Sequence, residues 1–145
     1  MRLRSTKDLR RDQGGATAVE FSLVALPFLL LLLGCIEFSR LIWTQNVLQQ
    51  VALSGVRCMA LSSGSCASAG AYDASMTLAV IESDAQKMGV TLQNSDIILD
   101  NSTTCGGVAG FSSVTLNYTF QSPVPLLPML SSRAMKISAC FPNQS

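Results

Sequence analysis

Between Ala16 and Ile36 the chain carries one charged side chain, Glu20, in an otherwise apolar and leucine-rich run. The run is about as long as the roughly 20 residues a helix needs to cross a bilayer. It predicts a transmembrane helix over 16–37. Pro27 lies inside it and removes one intrahelical hydrogen bond, so a kink is expected there. From Phe38 onward apolar positions recur at helical spacing. Leu41, Leu48, Val51, Ala52, Gly55 and Met59 share one side, while Asn46, Gln49, Gln50 and Arg57 gather on the other. The same helix should therefore continue over 38–61, giving a rod roughly 70 Å long at about 1.5 Å per residue. Its second half would back a small domain.

That domain is expected over 62–145. Ser62–Ala71 is small and polar and reads as a loop. Asp73 is placed to cap a second helix that ends before Gly89, with Ala74, Leu78, Val80, Ile81, Ala85 and Met88 facing inward. Asp84 falls beside that face and reads as a core-edge acid with a backbone partner. Three strands follow. Val90–Leu99 is the first, and the second alternates Val114, Leu116, Tyr118 and Phe120 with Thr115, Asn117 and Thr119. The third covers Arg133–Phe141, with Met135, Ile137 and Ala139 on one face. Pro123–Pro128 interrupts the ladder, since three prolines supply no donors. The fold class is α+β: a long amino-terminal helix, a second helix and a small antiparallel sheet of about three strands.

Composition narrows the chemistry. The chain has 145 residues, which suits one modest domain, and its formal net charge of +1 gives no field for nucleic acid. Histidine is absent, which removes catalytic triads and histidine-based metal sites. No phosphate-binding loop, dinucleotide fingerprint or nucleophile–base pair is present, so no enzyme activity, cofactor, metal or small-molecule substrate is expected. Charge is nevertheless unevenly placed. Arg2, Arg4, Lys7, Arg10 and Arg11 make up five of the ten Lys and Arg residues. Basic residues flanking an apolar helix tend to stay in the cytoplasm, which puts the amino end inside and the domain outside. Arg40 and Trp43 suit the far interface.

Glu20 is the residue that asks for an explanation. A carboxylate in a hydrocarbon-length helix costs about a few kcal/mol unless it is paired or near the interface. The positive end of the helix dipole returns only about 0.3–1 kcal/mol. Gly15-Ala16-Thr17-Ala18-Val19-Glu20-Phe21, following a short basic leader, resembles a type IV prepilin peptidase site. The longer string through Pro27 and Gly34-Cys35-Ile36-Glu37-Phe38-Ser39-Arg40 is similar to the TadE-like family, the pseudopilins of the tight-adherence (Flp) pilus system. The likeness is densest over 14–60. It implies a pilin-like fold and cleavage between Gly15 and Ala16, with residues 1–15 the leader that a prepilin peptidase removes. It also implies that Glu20 and Phe21 serve recognition and assembly. Implied partners are that peptidase, other pilins or pseudopilins, the inner-membrane assembly machinery and the lipid bilayer. Implied localisation is the bacterial inner membrane, with the domain periplasmic and the chain either at the base of the pilus or within it.

Two other readings compete. Leu32-Leu33-Gly34-Cys35 resembles a lipobox that would acylate Cys35, but Leu33 is bulky for that signal and an apolar helix follows in place of a polar tether. Alternatively the leader is never cut and the chain is a permanently anchored envelope binding module. Glu37 and Arg40 stand at an ordinary helical pair spacing near the membrane exit. Cys58, Cys66, Cys105 and Cys140 would be exported to a compartment where disulfides persist. Four cysteines permit three pairings. The favoured one joins Cys58 to Cys66 and Cys105 to Cys140. Asn101-Ser-Thr103 and Asn117-Tyr-Thr119 match a glycosylation pattern common by chance, and the bacterial resemblance argues against its use.

Overall fold

The structure is a computed structural model that describes residues 14–62, 64–122 and 132–144. The five basic residues of the leader and the Pro123–Pro128 break lie outside the described residues. One helix, α1, runs from Gly14 to Ala60 and passes through Pro27. It closes where Ser62 turns left-handed (φ 42°) and donates to the Met59 carbonyl, at the start of the small polar run. The chain divides into two units, one ending at Ser39 and the other beginning at Arg40.

In the first unit α1 is exposed almost throughout. Val19, Phe21, Leu23, Val24, Leu26 and the run Phe28–Leu33 all show large fractions of their surface. A contiguous apolar sleeve of this kind is not a water-facing surface. The helix is long and apolar enough to cross a membrane, with a mean hydropathy of 2.4 in its best window. Glu37 is the exception to the exposure, with 3% of its surface accessible.

The second unit is built on residues 40–60 of α1. A two-residue hairpin pairs β1 (Ala67–Ser68) with β2 (Ala71–Tyr72). Helix α2 (Ala74–Lys87) follows, and then a sheet ordered β3 (Ile97–Cys105), β4 (Val108–Gln121), β5 (Ser132–Pro142), antiparallel throughout. Val47, Leu48, Val51, Ala52, Val56 and Met59 of α1 form one side of the core. Ile81 and Ala85 of α2, Val114 and Leu116 of β4 and Ala139 of β5 belong to the same buried cluster. Burial of an aliphatic side chain is worth about 1.5–3 kcal/mol, so this one cluster is the main source of the unit's stability. β4 alternates as its sequence demands: Ser112, Val114, Leu116 and Phe120 are buried, and the intervening Ser113, Thr115 and Asn117 are more open. Gly106 and Gly107, both at positive φ, make the two-residue turn from β3 to β4.

Asp73 caps α2, accepting from the backbone N–H groups of Ser75 (2.8 Å) and Met76 (3.2 Å). The helix closes on Gly89 (φ 82°): the Gly89 N–H donates to the Gln86 carbonyl and the Val90 N–H to that of Ala85, the paired bonds of a Schellman end.

Several details differ from the sequence expectation. Val90 and Leu92 are buried but belong to no strand. The Schellman closure fixes Val90, and a 3₁₀ turn at Asn94–Asp96, capped by Gln93 N–H to the Asp96 carboxylate (3.1 Å), delays the strand to Ile97. β3 then continues to Cys105 through the polar run Asp100–Thr104. It is held there by pairing with β4, with irregular register between Asp100 and Thr104. The inner face of α2 adds Thr77 to Ile81 and Ala85, with Leu78 and Met88 half-buried against the core as expected, whereas Ala74 is exposed. Thr77 can be buried because its hydroxyl donates to the Asp73 carbonyl at 2.9 Å. Asp84 takes side-chain partners, not a backbone one: Lys87 Nζ at 3.0 Å and Ser54 Oγ at 3.5 Å, the latter tying α2 to α1. Part of the Ser62–Ala71 loop is the β1–β2 hairpin, turned by Ala69 and Gly70 at positive φ.

Candidate functional site

The Gly15–Ala16 bond lies in the first turn of α1, where backbone N–H groups have no intrahelical acceptor. Gly15 has open space around it: a Cβ there would meet nothing within 4 Å, and its φ lies outside the positive range that favours glycine. Glycine at a helical position costs about 0.5–1 kcal/mol relative to alanine. Among the described residues, neither packing nor backbone conformation accounts for that choice. Gly34 likewise has nothing within 4 Å.

Glu20 and Phe21 follow on the same helix. Both are exposed, Phe21 to 75%, and neither takes part in the core of the second unit. The helix thus presents a carboxylate one turn beyond the Gly15–Ala16 bond, flanked by the apolar side chains of Val19 and Phe21. Cys35 is a free thiol on the surface of α1. Ser22 and Ser39 hydroxyls donate back to the carbonyls of Val19 and Cys35, which satisfies them without a neighbour.

Within the second unit, Leu41, Thr44, Leu48 and Val51 form a buried stripe of α1, each three or four residues from the last. Arg40 places its guanidinium 5.9 Å from the centre of the Phe120 ring, and Arg57 lies 6.0 Å from that of Phe141. These cation–π contacts join α1 to the last two strands. The sequence held no sign of them.

Four of the cysteines form two disulfides, Cys58–Cys66 with Cα atoms 5.7 Å apart and Cys105–Cys140 with 6.6 Å. The first ties the end of α1 to the start of the hairpin. The second joins β3 to β5 across the intervening strand. The carboxyl-terminal tail is stitched beside it. Asn143 Nδ2 donates to the Asn101 carbonyl at 2.8 Å, Ser112 Oγ donates to Asn143 Oδ1, and the Asn143 N–H reaches the Gly110 carbonyl. No local sequence pattern signals these tail contacts.

Among the described residues, two groups are held away from their ordinary values. The Ser75 hydroxyl, then the Met76 and Ser75 N–H groups, hold the Asp73 carboxyl below the usual range. Burial, and then the Asp73 charge, raise the Tyr72 phenol. Both belong to the cap of α2. Among the described residues, no three His, Cys, Asp or Glu side chains gather to hold a metal ion. An open groove of about 580 Å³ beside Gln93, Asp96, Asn117, Thr119 and Lys136 is polar and offers no nucleophile with an adjacent base.

Residues 15–57 match the family model described as TadE-like protein. The matched segment opens on Gly15, contains Glu20, Phe21, Pro27 and Glu37, and stops one residue before the first disulfide. No curated protein and no solved structure matches the chain.

Proposed function

We propose that this chain, TadE-like over residues 15–57, is a minor pseudopilin that helps assemble a tight-adherence (Flp-type) pilus or a related secretion system. A prepilin peptidase at the cytoplasmic membrane face cuts after Gly15 and leaves Ala16 as the new amino terminus. α1 anchors the product in the inner membrane, and the second unit sits on the periplasmic side. The partners are the peptidase, other pilins or pseudopilins and the inner-membrane assembly machinery. The protein works by association and performs no catalysis.

The observation that carries this reading is the family match, which begins at Gly15, a residue the fold itself does not require. The physical logic of Glu20 agrees with it. A free α-amino group and a carboxylate in an apolar helix bundle each carry a large desolvation penalty. Pairing the new amine of one subunit with Glu20 of its neighbour offsets both penalties and fixes the helix register. Glu20→Ala in cells making the whole pilus system is the test. Expected is loss of processing or of co-isolation with partner pilins, with the anchored chain still present in the membrane fraction. Unchanged processing together with unchanged co-isolation would refute the role given to Glu20.

A further inference from the structure

We propose that two copies of this chain join edge to edge, β3 of one adding to β5 of the next, so that the three-stranded sheet continues from copy to copy. The contact lies wholly within the second unit, so it requires neither cleavage after Gly15 nor a partner pilin. Among the described residues β3 and β5 each pair with β4 alone. Each therefore leaves one row of backbone N–H and C=O groups with no strand beside it, which is a template for another strand. The helix leaves the β5 edge uncovered. An open cleft of about 460 Å³ lies between Gln49 and Leu53 of α1 and residues 136–140 of β5.

Charge selects a second copy as the occupant. β3 carries one charged side chain, Asp100, while β5 carries Arg133 and Lys136 and no acid. Two β5 edges, or two β3 edges, would bring like charges together, which is unfavourable. Of the three combinations, β3 against β5 alone brings opposite charges. Lys136 thus guards β5 against its own kind and leaves it open to an acidic strand. In the sheet Asp100 lies opposite Ser113 and Lys136 opposite Asn117, both on the more open face of β4. Asp100 Oδ1 accepts from the Ser102 N–H at 3.0 Å. Its Oδ2 and the Lys136 Nζ have no partner among the described residues.

β3 and β5 both run antiparallel to β4, and so parallel to each other. A copy that keeps the same face outward therefore adds its β3 parallel to β5. With Asp100 opposite Lys136, the regular stretch 97–100 lies along 133–136, and the nine residues of β3 have room on the eleven of β5. Ile98, 53% exposed, then falls beside Ala134 on that same face. Because the two edges differ, the contact runs head to tail and one copy can hold two neighbours.

The test uses the full chain in detergent, part of it labelled with heavy nitrogen, and a carbodiimide that couples a carboxylate directly to an amine. Expected is an Asp100–Lys136 link between labelled and unlabelled chains, read by mass spectrometry. Sedimentation velocity should show self-association that weakens with salt. Asp100→Lys and Lys136→Glu should each weaken it by about two- to thirtyfold. Both side chains are exposed, so the near-ultraviolet circular dichroism of either variant should match the parent. The two variants mixed together, and the double variant, should associate as the parent does, because opposite charges meet again. A chain that stays monomeric, an Asp100–Lys136 link found only within single chains, association that neither reversal moves, or a double variant that stays as weak as the single ones overturns the proposal. Each of these results leaves the pseudopilin reading standing, since that reading does not use the sheet edges.

Discussion

At Gly55 α1 passes close to the rest of the core, and the cost of adding one methyl group there can be worked out. A Cβ built on Gly55 would sit 2.6 Å from Ile81 Cγ1, 2.7 Å from Ile81 Cδ1 and 3.8 Å from Val114 Cγ2. Ile81 cannot swing aside easily. It is 1% exposed, Val114 is fully buried, and a β-branched side chain in a helix has essentially one χ1 rotamer. Gly55→Ala therefore gains about 0.8–1 kcal/mol of helix propensity against about 1–3 kcal/mol of overpacking. The balance is a net loss of up to about 2 kcal/mol. Thermal unfolding of the full chain in detergent, followed by near-ultraviolet circular dichroism, should show Tm falling by up to about 8–16 °C. Gly55→Leu should fall further.

A second variant tests the mechanism and not just the direction. Ile81→Ala alone opens a cavity and costs about 2–5 kcal/mol. Combined with Gly55→Ala, the new methyl group enters the vacated space, so the double variant should be more stable than the sum by about 0.5–3 kcal/mol. A Gly55→Ala chain that melts higher than the parent, or strictly additive single variants, would refute the close approach on which the reasoning depends.

The disulfides differ in the length of chain they close, with separations of 8 and 35 residues. On loop-closure entropy, replacing Cys105 and Cys140 by serine should cost about 4 kcal/mol and replacing Cys58 and Cys66 about 2.5 kcal/mol. Denaturant midpoints of the two double variants should fall in that order. The Asp73 carboxyl is held below its ordinary value when folded, so its contribution is present above about pH 4 and is lost as pH falls through the folded pKa. Asp73→Asn, which keeps a capping side chain, should flatten that acid limb in a stability-versus-pH series. The same substitution removes the charge beside Tyr72, so a phenolate absorbance titration should show one tyrosine ionising at lower pH than in the parent.

Long periodic segments were legible from the sequence and short-range closures were not. The buried stripe of α1 is a 3.6-residue pattern sustained over several turns, and the Val114–Phe120 alternation is a clean two-residue one. Each needs only its own segment to be seen. Val90 and Leu92 misled because isolated apolar residues after a helix look like a strand. Two backbone closures, at Gly89 and at Gln93–Asp96, use up that stretch instead. The Asp100–Thr104 half of β3 carries no apolar alternation, since β4 alone holds it in the sheet. Thr77 looks too polar for a core position in the sequence, but a bond to the Asp73 carbonyl makes it acceptable inside.

At the candidate site the motif residues Gly15, Ala16, Glu20 and Phe21 could be named from their order alone. That Gly15 has no packing or conformational reason to be glycine required coordinates. So did the approach of Arg40 to the Phe120 ring, because contacts between distant segments leave no local pattern.

The most direct test is the intact mass of the protein isolated from bacterial membranes, measured in cells with an active prepilin peptidase and in cells with an inactivated one. With the active enzyme the account predicts a chain that begins at Ala16; with the inactive one, a chain that still carries Arg2 through Gly15. A chain that keeps those residues beside an active peptidase, or one with acyl groups on Cys35, would contradict it.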